Sequence, residues 1–454
     1  MKTEKSKKPH IHTGLEKLSV KKEKPFEPRL NSYRTGDDSF PEKIINLHGY
    51  PIAERIPFSK AIGAYGTFTC TNNLQNYTRA KIFKEIGKAT KIFTRFSVLG
   101  DDNENYEAEP HIKEFAVRFF TEDGNWDLAG SNTPVLISKD FKKYYEFFQL
   151  EKRDEKTNLK NTGKIWNFLS TAPESLHHIM MTMSDRGAPC GYKHMNGYGA
   201  HTFSITNKEN QKFWIKIHFK TLQQIKTFTR EESLLARAED TDYIQRDLVE
   251  VIYKKQFPKW SVNLQIMTDS QAKELNFNPF DVTKTWPKKE FPLIEAGIIE
   301  LNVIPENYCS EVKQAGFSFS NTIDGISHSP DKILQGRLHF YTKKNHEKVA
   351  DHLFSDNYFC TPESWYDYNT TAENDYYSQP SILFNKVMVE PERANLIENI
   401  VVSMRCINGL HRDAIIKRQL YHWFRVDEKL GSAIASGLNV NSENILKYQE
   451  LIKI

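Results

Sequence analysis

The chain has 454 residues, 39% of them hydrophobic and 26% charged, with 21 Gly and 19 Pro; this excludes collagen-like, disordered and coiled-coil classes and leaves a globular protein with a sizeable core. The net charge of +4 belongs to a tail, because residues 1–24 hold eight Lys against three Glu. No run approaches ~20 apolar residues, and the Lys-rich start lacks the apolar stretch of a secretory signal, which predicts a soluble, cytoplasmic protein without a membrane span.

A Lys-rich arm can touch nucleic acid or an acidic membrane surface. Without interleaved aromatics or Arg it reads as a flexible or oligomer-wrapping extension, and no nucleic-acid partner is expected. Strand chemistry, short runs rich in aromatic and β-branched residues bounded by Gly, Asp or Asn, then appears at Ala61–Asn72, Lys91–Leu99, Glu114–Thr121, Thr202–Thr206, Lys212–Phe219 and Ser261–Met267. Helices are predicted over Pro173–Ser184, Arg230–Ala238 and Asp242–Lys255. Without βαβ alternation this pattern favours an antiparallel sheet or barrel with helical insertions, and the Gly-x-Gly-x-x-Gly and Walker signatures are absent. From about Asn302 to Pro380 the texture is that of a surface-wrapping segment, interrupted by one helix whose start, Ser329-Pro330-Asp331, offers Ser as cap, Pro for the first turn and Asp for the dipole. From Glu390 onward the apolar spacing is helical. Five scattered cysteines, Cys70, Cys190, Cys309, Cys360 and Cys406, argue against a disulfide framework or a zinc site.

Within that wrapping segment, Arg337 and Tyr341 stand four apart on one helix face, so the guanidinium can reach the phenol oxygen and favour phenolate. Tyr ligation of haem iron is the arrangement of catalases; from two residues alone, an Arg packed over an aromatic is the plainer reading. The surrounding words are more specific. Val117–Pro134, Ser184-Asp-Arg-Gly, His194-Met-Asn-Gly-Tyr-Gly-Ala-His-Thr-Phe203, Asn278-Pro-Phe-Asp-Val-Thr-Lys, Pro305-Glu-Asn-Tyr and Ser329–Leu338 resemble the monofunctional haem catalases, in that family's order, across roughly Ile52 to Val440.

The resemblance implies an α+β fold built on an eight-stranded antiparallel β-barrel, with a wrapping segment, a C-terminal helical domain and a homotetrameric assembly. The division expected is an N-terminal arm over 1–44, the barrel haem domain with helical insertions over 45–303, the wrapping segment with the proximal haem helix over 304–385, and the C-terminal helical domain over 386–454. It also implies b-type haem, with Tyr341 as axial ligand of the iron, Arg337 as its support, and Arg55, Arg95 and Lys348 at the propionates. Lys348 stands where the family has a third arginine and keeps the charge without the fork. An NADPH site on the outside of the barrel would fall on His177, Ser184, Arg186, Asn196, Tyr198, Lys220 and Trp286, with Lys288 and Met181 departing from the pattern.

The distal side departs sharply. Phe58 stands at the family's catalytic histidine and Ser131 at its catalytic asparagine, so the acid–base group and the second donor are both replaced. Ser97 matches the serine that supports that histidine and is expected to bind water, Ser131 or a ligand instead. Glu114 replaces a glycine at the haem face, where it either crowds the pocket or swings outward. His111, at the acid of the substrate channel, is a candidate displaced base, with a purely channel-lining role as the plainer reading. His177, His178, His194 and His201 are read as structural, and His339 lies off the tyrosine's face of the helix. The expected function is a haem-dependent oxidoreductase or isomerase acting on peroxides, organic hydroperoxides favoured, with weak or no hydrogen peroxide dismutation. A non-catalytic haem protein that binds or senses a small ligand, and a residually active catalase, are the alternatives.

Overall fold

The structure, a computed structural model, describes residues 60–99, 108–154, 156–345 and 375–441, with 339–345 described by their backbone alone. Arg55, Phe58, Lys348 and the Lys-rich arm lie outside the described residues. Among the described residues, ten strands run in chain order as β1 Ala61–Cys70, β2 Ala89–Val98, β3 Lys113–Thr121, β4 Gly124–Ser131, β5 Gly197–Tyr198, β6 Phe203–Thr206, β7 Lys212–Thr221, β8 Lys259–Thr268, β9 Ile294–Val303 and β10 Ile326–His328. Their pairing order is β10-β6-β7-β5-β4-β3-β2-β1-β9-β8, and an additional β7–β8 ladder closes the sheet on itself. Eight strands, β1 to β5 and β7 to β9, thus form an antiparallel barrel with β6 and β10 added beside β7.

The period of two along each strand decides what lies inside. Phe96 of β2 and Phe115 of β3 are cross-strand partners whose rings meet edge to face at 4.9 Å, and Phe115 stacks on Phe219 of β7 at 4.9 Å. Phe68, Phe119 and Trp126 continue this aromatic core, each buried ring contributing about 2–3 kcal/mol. The alternate residues, Arg95, Ser97, Glu114 and Ser131, therefore face the other side of the sheet. Four strands escape the sequence reading, among them the short β5 and β10; of the two longer ones, one is β4, whose Gly-Asn-Trp-Asp-Leu-Ala-Gly-Ser has little strand propensity and is held by its hairpin with β3, Gly124 closing the turn at φ 113°, and the other is β9.

The helices are α1 Phe141–Leu150, α2 Thr162–Thr171, α3 Leu176–Met183, α4 Arg230–Glu239, α5 Tyr243–Tyr253, α6 Asp269–Glu274, α7 Lys332–Asn345, α8 Ser378–Ile382, α9 Glu390–Arg405, α10 Arg412–Val426 and α11 Glu428–Gly437. A second core joins α1, α2 and α3 to α9, α10 and α11 through Phe147, Trp166, Ile179, Ile400, Leu420 and Leu430. Trp166 Nε1 donates to Ser403 Oγ across that contact at 3.0 Å. No described helix is long and apolar enough to cross a membrane, and Cys70, Cys190, Cys309 and Cys406 are free thiols.

Candidate functional site

The start of α7 differs from its sequence expectation. Asp331, not Ser329, is the cap: its Oδ1 accepts from the backbone N–H groups of Ile333 at 2.9 Å and Leu334 at 3.1 Å. Ser329 instead donates to the Thr202 carbonyl at 2.5 Å. An aspartate is as good a cap as a serine, and its second oxygen remains available for another task. That oxygen, Oδ2, lies 2.6 Å from His201 Nδ1, and His201 Nε2 lies 3.1 Å from Arg337 Nη1.

The protonation pattern follows from the partners. A guanidinium can only donate, so Nε2 accepts and the ring proton sits on Nδ1, donated to Asp331. Burial, with Arg337 and Lys216 nearby, outweighs Asp331 and holds His201 below its ordinary pKa. A neutral imidazole therefore joins a buried carboxylate to a buried guanidinium, and Arg337 packs over the Phe319 ring at 4.4 Å. Ala200, in the left-handed region at φ 62°, turns the chain just before His201, a conformation that costs about 1–2 kcal/mol for a residue with a Cβ. This relay joins His201 to Asp331, residues 130 positions apart, which spacing in the sequence cannot reveal. Position 341 follows Arg337 by one turn of α7, and the Tyr341 side chain lies outside the described residues.

On the barrel wall, register builds a second cluster. Ser97 pairs with Glu114 and Glu114 with Ser131, so the three form one row across β2, β3 and β4. Ser97 Oγ donates to Glu114 Oε2 at 2.5 Å, and Arg95 Nη1 donates to the same oxygen at 2.7 Å and to Ser97 Oγ at 3.2 Å. The Ser97 hydroxyl is engaged here by Glu114 and not by Ser131, and the Glu114 carboxylate is held against Arg95 and Ser97. A short cross-strand distance between a hydroxyl and a carboxylate, beside a guanidinium, makes a charge-assisted cluster instead. Ser131 donates its hydroxyl to the Thr133 carbonyl at 3.0 Å. Its place is set by Gly130, where a Cβ would lie 1.7 Å from the Tyr198 carbonyl oxygen of β5.

Glu114, Ser131, Tyr144, His178, Ala200 and Arg337 line one cavity, so barrel row and α7 face the same space. His178 Nδ1 donates to the Val135 carbonyl at 2.8 Å, its Nε2 is buried without a hydrogen bond, and burial lowers its pKa to about 4. A larger cavity of about 380 Å³ adjoins, sharing Ile112, Ile137 and His178. Phe147, Ile165, Trp166, Leu169 and Val402 give it an apolar wall. His111 lines this second cavity, not the one holding Glu114 and Ser131. Its Nε2 is 3.9 Å from Glu151, but burial, then Lys160 and Lys113, push its pKa well down. It is neutral there, Glu151 pairs with Lys160 at 3.0 Å, and the candidacy of His111 as the displaced base is not supported.

The seven residues matched to a nucleotide site sit in varied settings. Lys220 Nζ donates to Tyr198 Oη at 3.0 Å. Burial opposes ionisation of Tyr198, yet Lys220, Arg186 and Lys288 bring its pKa below the ordinary value, so three cations gather around one phenol. Asn196 Oδ1 accepts from the Thr221 N–H, Ser184 donates to the Met181 carbonyl, and Trp286 donates to the Pro279 carbonyl. His177 is buried, its pKa lowered to about 4 by desolvation. His194 Nδ1 bonds the Gln224 carbonyl. Among the described residues no group of three His, Cys, Asp or Glu could hold a metal ion.

The donor set suits the haem that the resemblance implies. A buried guanidinium backed by a neutral imidazole sits one turn before position 341, and Arg95, with five donors in its fork, meets Glu114 and Ser97 through Nη1.

The family model for catalase matches residues 32–355, and that described as catalase-related immune-responsive matches residues 370–438. Catalase A of Pseudomonas putida is 37% identical over 446 residues, covering 88% of this chain and 92% of its own. A catalase of Aliivibrio fischeri is 38% identical over 448 residues, covering 88% and 92%. A solved bacterial catalase superposes with a TM-score of 0.76 at 30% identity, covering 88% of this chain and 90% of its own.

Proposed function

The chain belongs to the catalase family, and on that premise we propose that it is a haem-dependent oxidoreductase acting on peroxides, with organic hydroperoxides favoured and hydrogen peroxide dismutation weak. The observation that carries this reading is the Asp331–His201–Arg337 relay, which holds a buried cation one turn before Tyr341. A guanidinium there stabilises phenolate over phenol, the form in which a tyrosine serves as axial ligand. Tyr341 would hold the haem iron, and Arg55, Arg95 and Lys348 the propionates. Bound there, the haem supplies the redox centre at which a peroxide O–O bond is broken.

The chain's own residues bear on which peroxide is used. Phe58 brings no proton-accepting group to the family's histidine position, and the Ser131 hydroxyl is engaged by the Thr133 carbonyl, so the two donors that serve hydrogen peroxide in the family are not replaced in kind. The cavity of about 380 Å³ with its apolar wall is within the size range of small-molecule sites and far larger than hydrogen peroxide needs. A homotetramer, a cytoplasmic location and NADPH bound near Arg186, Tyr198, Lys220 and Lys288 complete the reading.

Purified protein should carry haem, lose most of it in Tyr341→Phe, and turn over cumene hydroperoxide faster than it evolves oxygen from hydrogen peroxide. Protein that takes up no haem overturns the reading, and a haem protein inert to every peroxide supports a ligand-binding role instead.

A further inference from the structure

We propose that the cavity of about 380 Å³ is a site for long-chain monocarboxylates, the tail lying along its apolar wall and the carboxylate meeting Arg230 at its mouth. The inference deepens the reading above and rests on it in one respect: it makes the favoured organic hydroperoxide a fatty acid hydroperoxide.

The wall comes from helices on several sides. Phe147 of α1, Ile165, Trp166 and Leu169 of α2 and Ile179 of α3 are buried around the space, and Val402 of α9 faces them. The volume is within the range of small-molecule sites, and such a wall favours each methylene that leaves water. Apolar contact sets no orientation, so the charged groups decide which end of a ligand faces out.

Those groups are Glu109, Glu151, Lys160 and Arg230. Glu151 and Lys160 pair at 3.0 Å, and Glu109 pairs with Arg237. Arg230 is exposed, and its guanidinium makes no hydrogen bond or ion pair with any described residue. The acids on its other side, Asp185 and Glu398, form no ion pair with it, and Asp185 is engaged by Asn395 at 2.9 Å. An exposed residue on the wall marks where the cavity opens, so the uncompensated cation stands at the mouth. The helix does not account for it. Arg230 is the first residue of α4, where the dipole disfavours a cation, and the Thr229–Glu232 capping box already serves that end. A guanidinium offers a carboxylate a two-pronged donor, which an alcohol or ester head cannot match. Away from the mouth, the cavity shares the buried Ile112, Ile137 and His178 with the one lined by Ser131 and Arg337. A chain anchored at Arg230 therefore extends toward the proposed haem site.

Decanoate tests the site without turnover. Calorimetric titration of the holoprotein should show decanoate binding about tenfold tighter than decan-1-ol, and about fourfold weaker for each methylene removed toward hexanoate. Arg230→Gln should weaken decanoate about tenfold and leave decan-1-ol unchanged, Arg230→Lys should recover part of the loss, and Val402→Trp should weaken both ligands. Equal affinity for acid and alcohol, or unchanged decanoate binding in Arg230→Gln, overturns the proposal. So does a loss confined to Lys160→Gln, which puts the head group elsewhere, or indifference to Val402→Trp, which does the same for the tail. In turnover, Arg230→Gln should raise KM for linoleic acid hydroperoxide about tenfold and leave that for cumene hydroperoxide unchanged. A haem protein that binds decanoate in this way but turns over no hydroperoxide removes the substrate assignment together with the reading it rests on, and leaves the carboxylate site standing.

Discussion

Ser97 and Glu114 face each other across the β2–β3 ladder, the serine hydroxyl donating to Glu114 Oε2 at 2.5 Å. Ser97 matches the family serine that supports the distal histidine, so this contact occupies the hydroxyl on which an installed histidine would depend. Restoring Phe58→His and Ser131→Asn alone should therefore raise oxygen evolution from hydrogen peroxide only slightly. Adding Glu114→Gly, which frees Ser97, should raise it a further ~100-fold. Oxygen-electrode rates of the double and triple variants, compared at equal haem content, check this; equal rates would mean that Glu114 does not obstruct the histidine.

Asp331 performs two tasks with two oxygens, capping α7 and holding His201. Asp331→Ala removes a cap worth about 1 kcal/mol and a charged hydrogen bond worth about 1.5–3 kcal/mol, so a loss of about 3 kcal/mol is expected in urea denaturation. Asp331→Asn keeps the cap but offers His201 an amide, and should cost less stability while altering the optical spectrum of bound haem. Equal stability losses in the two variants would place the whole effect in the His201 contact.

Much of this was legible in the residues. Strands such as Lys212–Thr221 and Lys259–Thr268 announce themselves by aromatic and β-branched content, and their observed bounds differ from expectation by a few residues. The segment Gly124–Ser131 does not, since only pairing with β3 makes a strand of a Gly- and Asn-containing run. The replacement of the distal groups could be read by position. The ion pair of Glu114 with Arg95 could not, because it depends on register between β2 and β3 and on Arg95 two residues before Ser97. The His201–Asp331 contact joins distant segments in the same way.

Acid sensitivity follows from three buried rings. His177 and His178 have pKa values lowered from 6.5 to about 4, and His218 to about 3, chiefly by burial. The unfolded chain takes up these protons near its ordinary histidine pKa while the folded chain does not. Their contribution is therefore full above about pH 6.5 and is lost as pH falls toward 4, roughly 3 kcal/mol for each of His177 and His178. Urea midpoints should fall between pH 7.5 and 5, less steeply in His178→Gln. Identical slopes in wild type and variant would show that His178 is not charged on unfolding.

The cavity of about 380 Å³ touches the Glu114 cavity through Ile112, Ile137 and His178, and under the proposed preference for organic hydroperoxides it is where the organic tail would lie. Val402 of the α9 helix lies on its wall and is only partly buried, so a larger side chain there can project into the space with little strain on the core. Val402→Trp should raise KM for cumene hydroperoxide by about tenfold, the equivalent of about 1.4 kcal/mol of lost binding, and leave haem content and the response to hydrogen peroxide unchanged. The selectivity of the effect is the point of the measurement, since a general disturbance of the fold would lower both activities together. If KM does not move, organic substrates reach the haem site by another route, and the apolar wall has no part in choosing them.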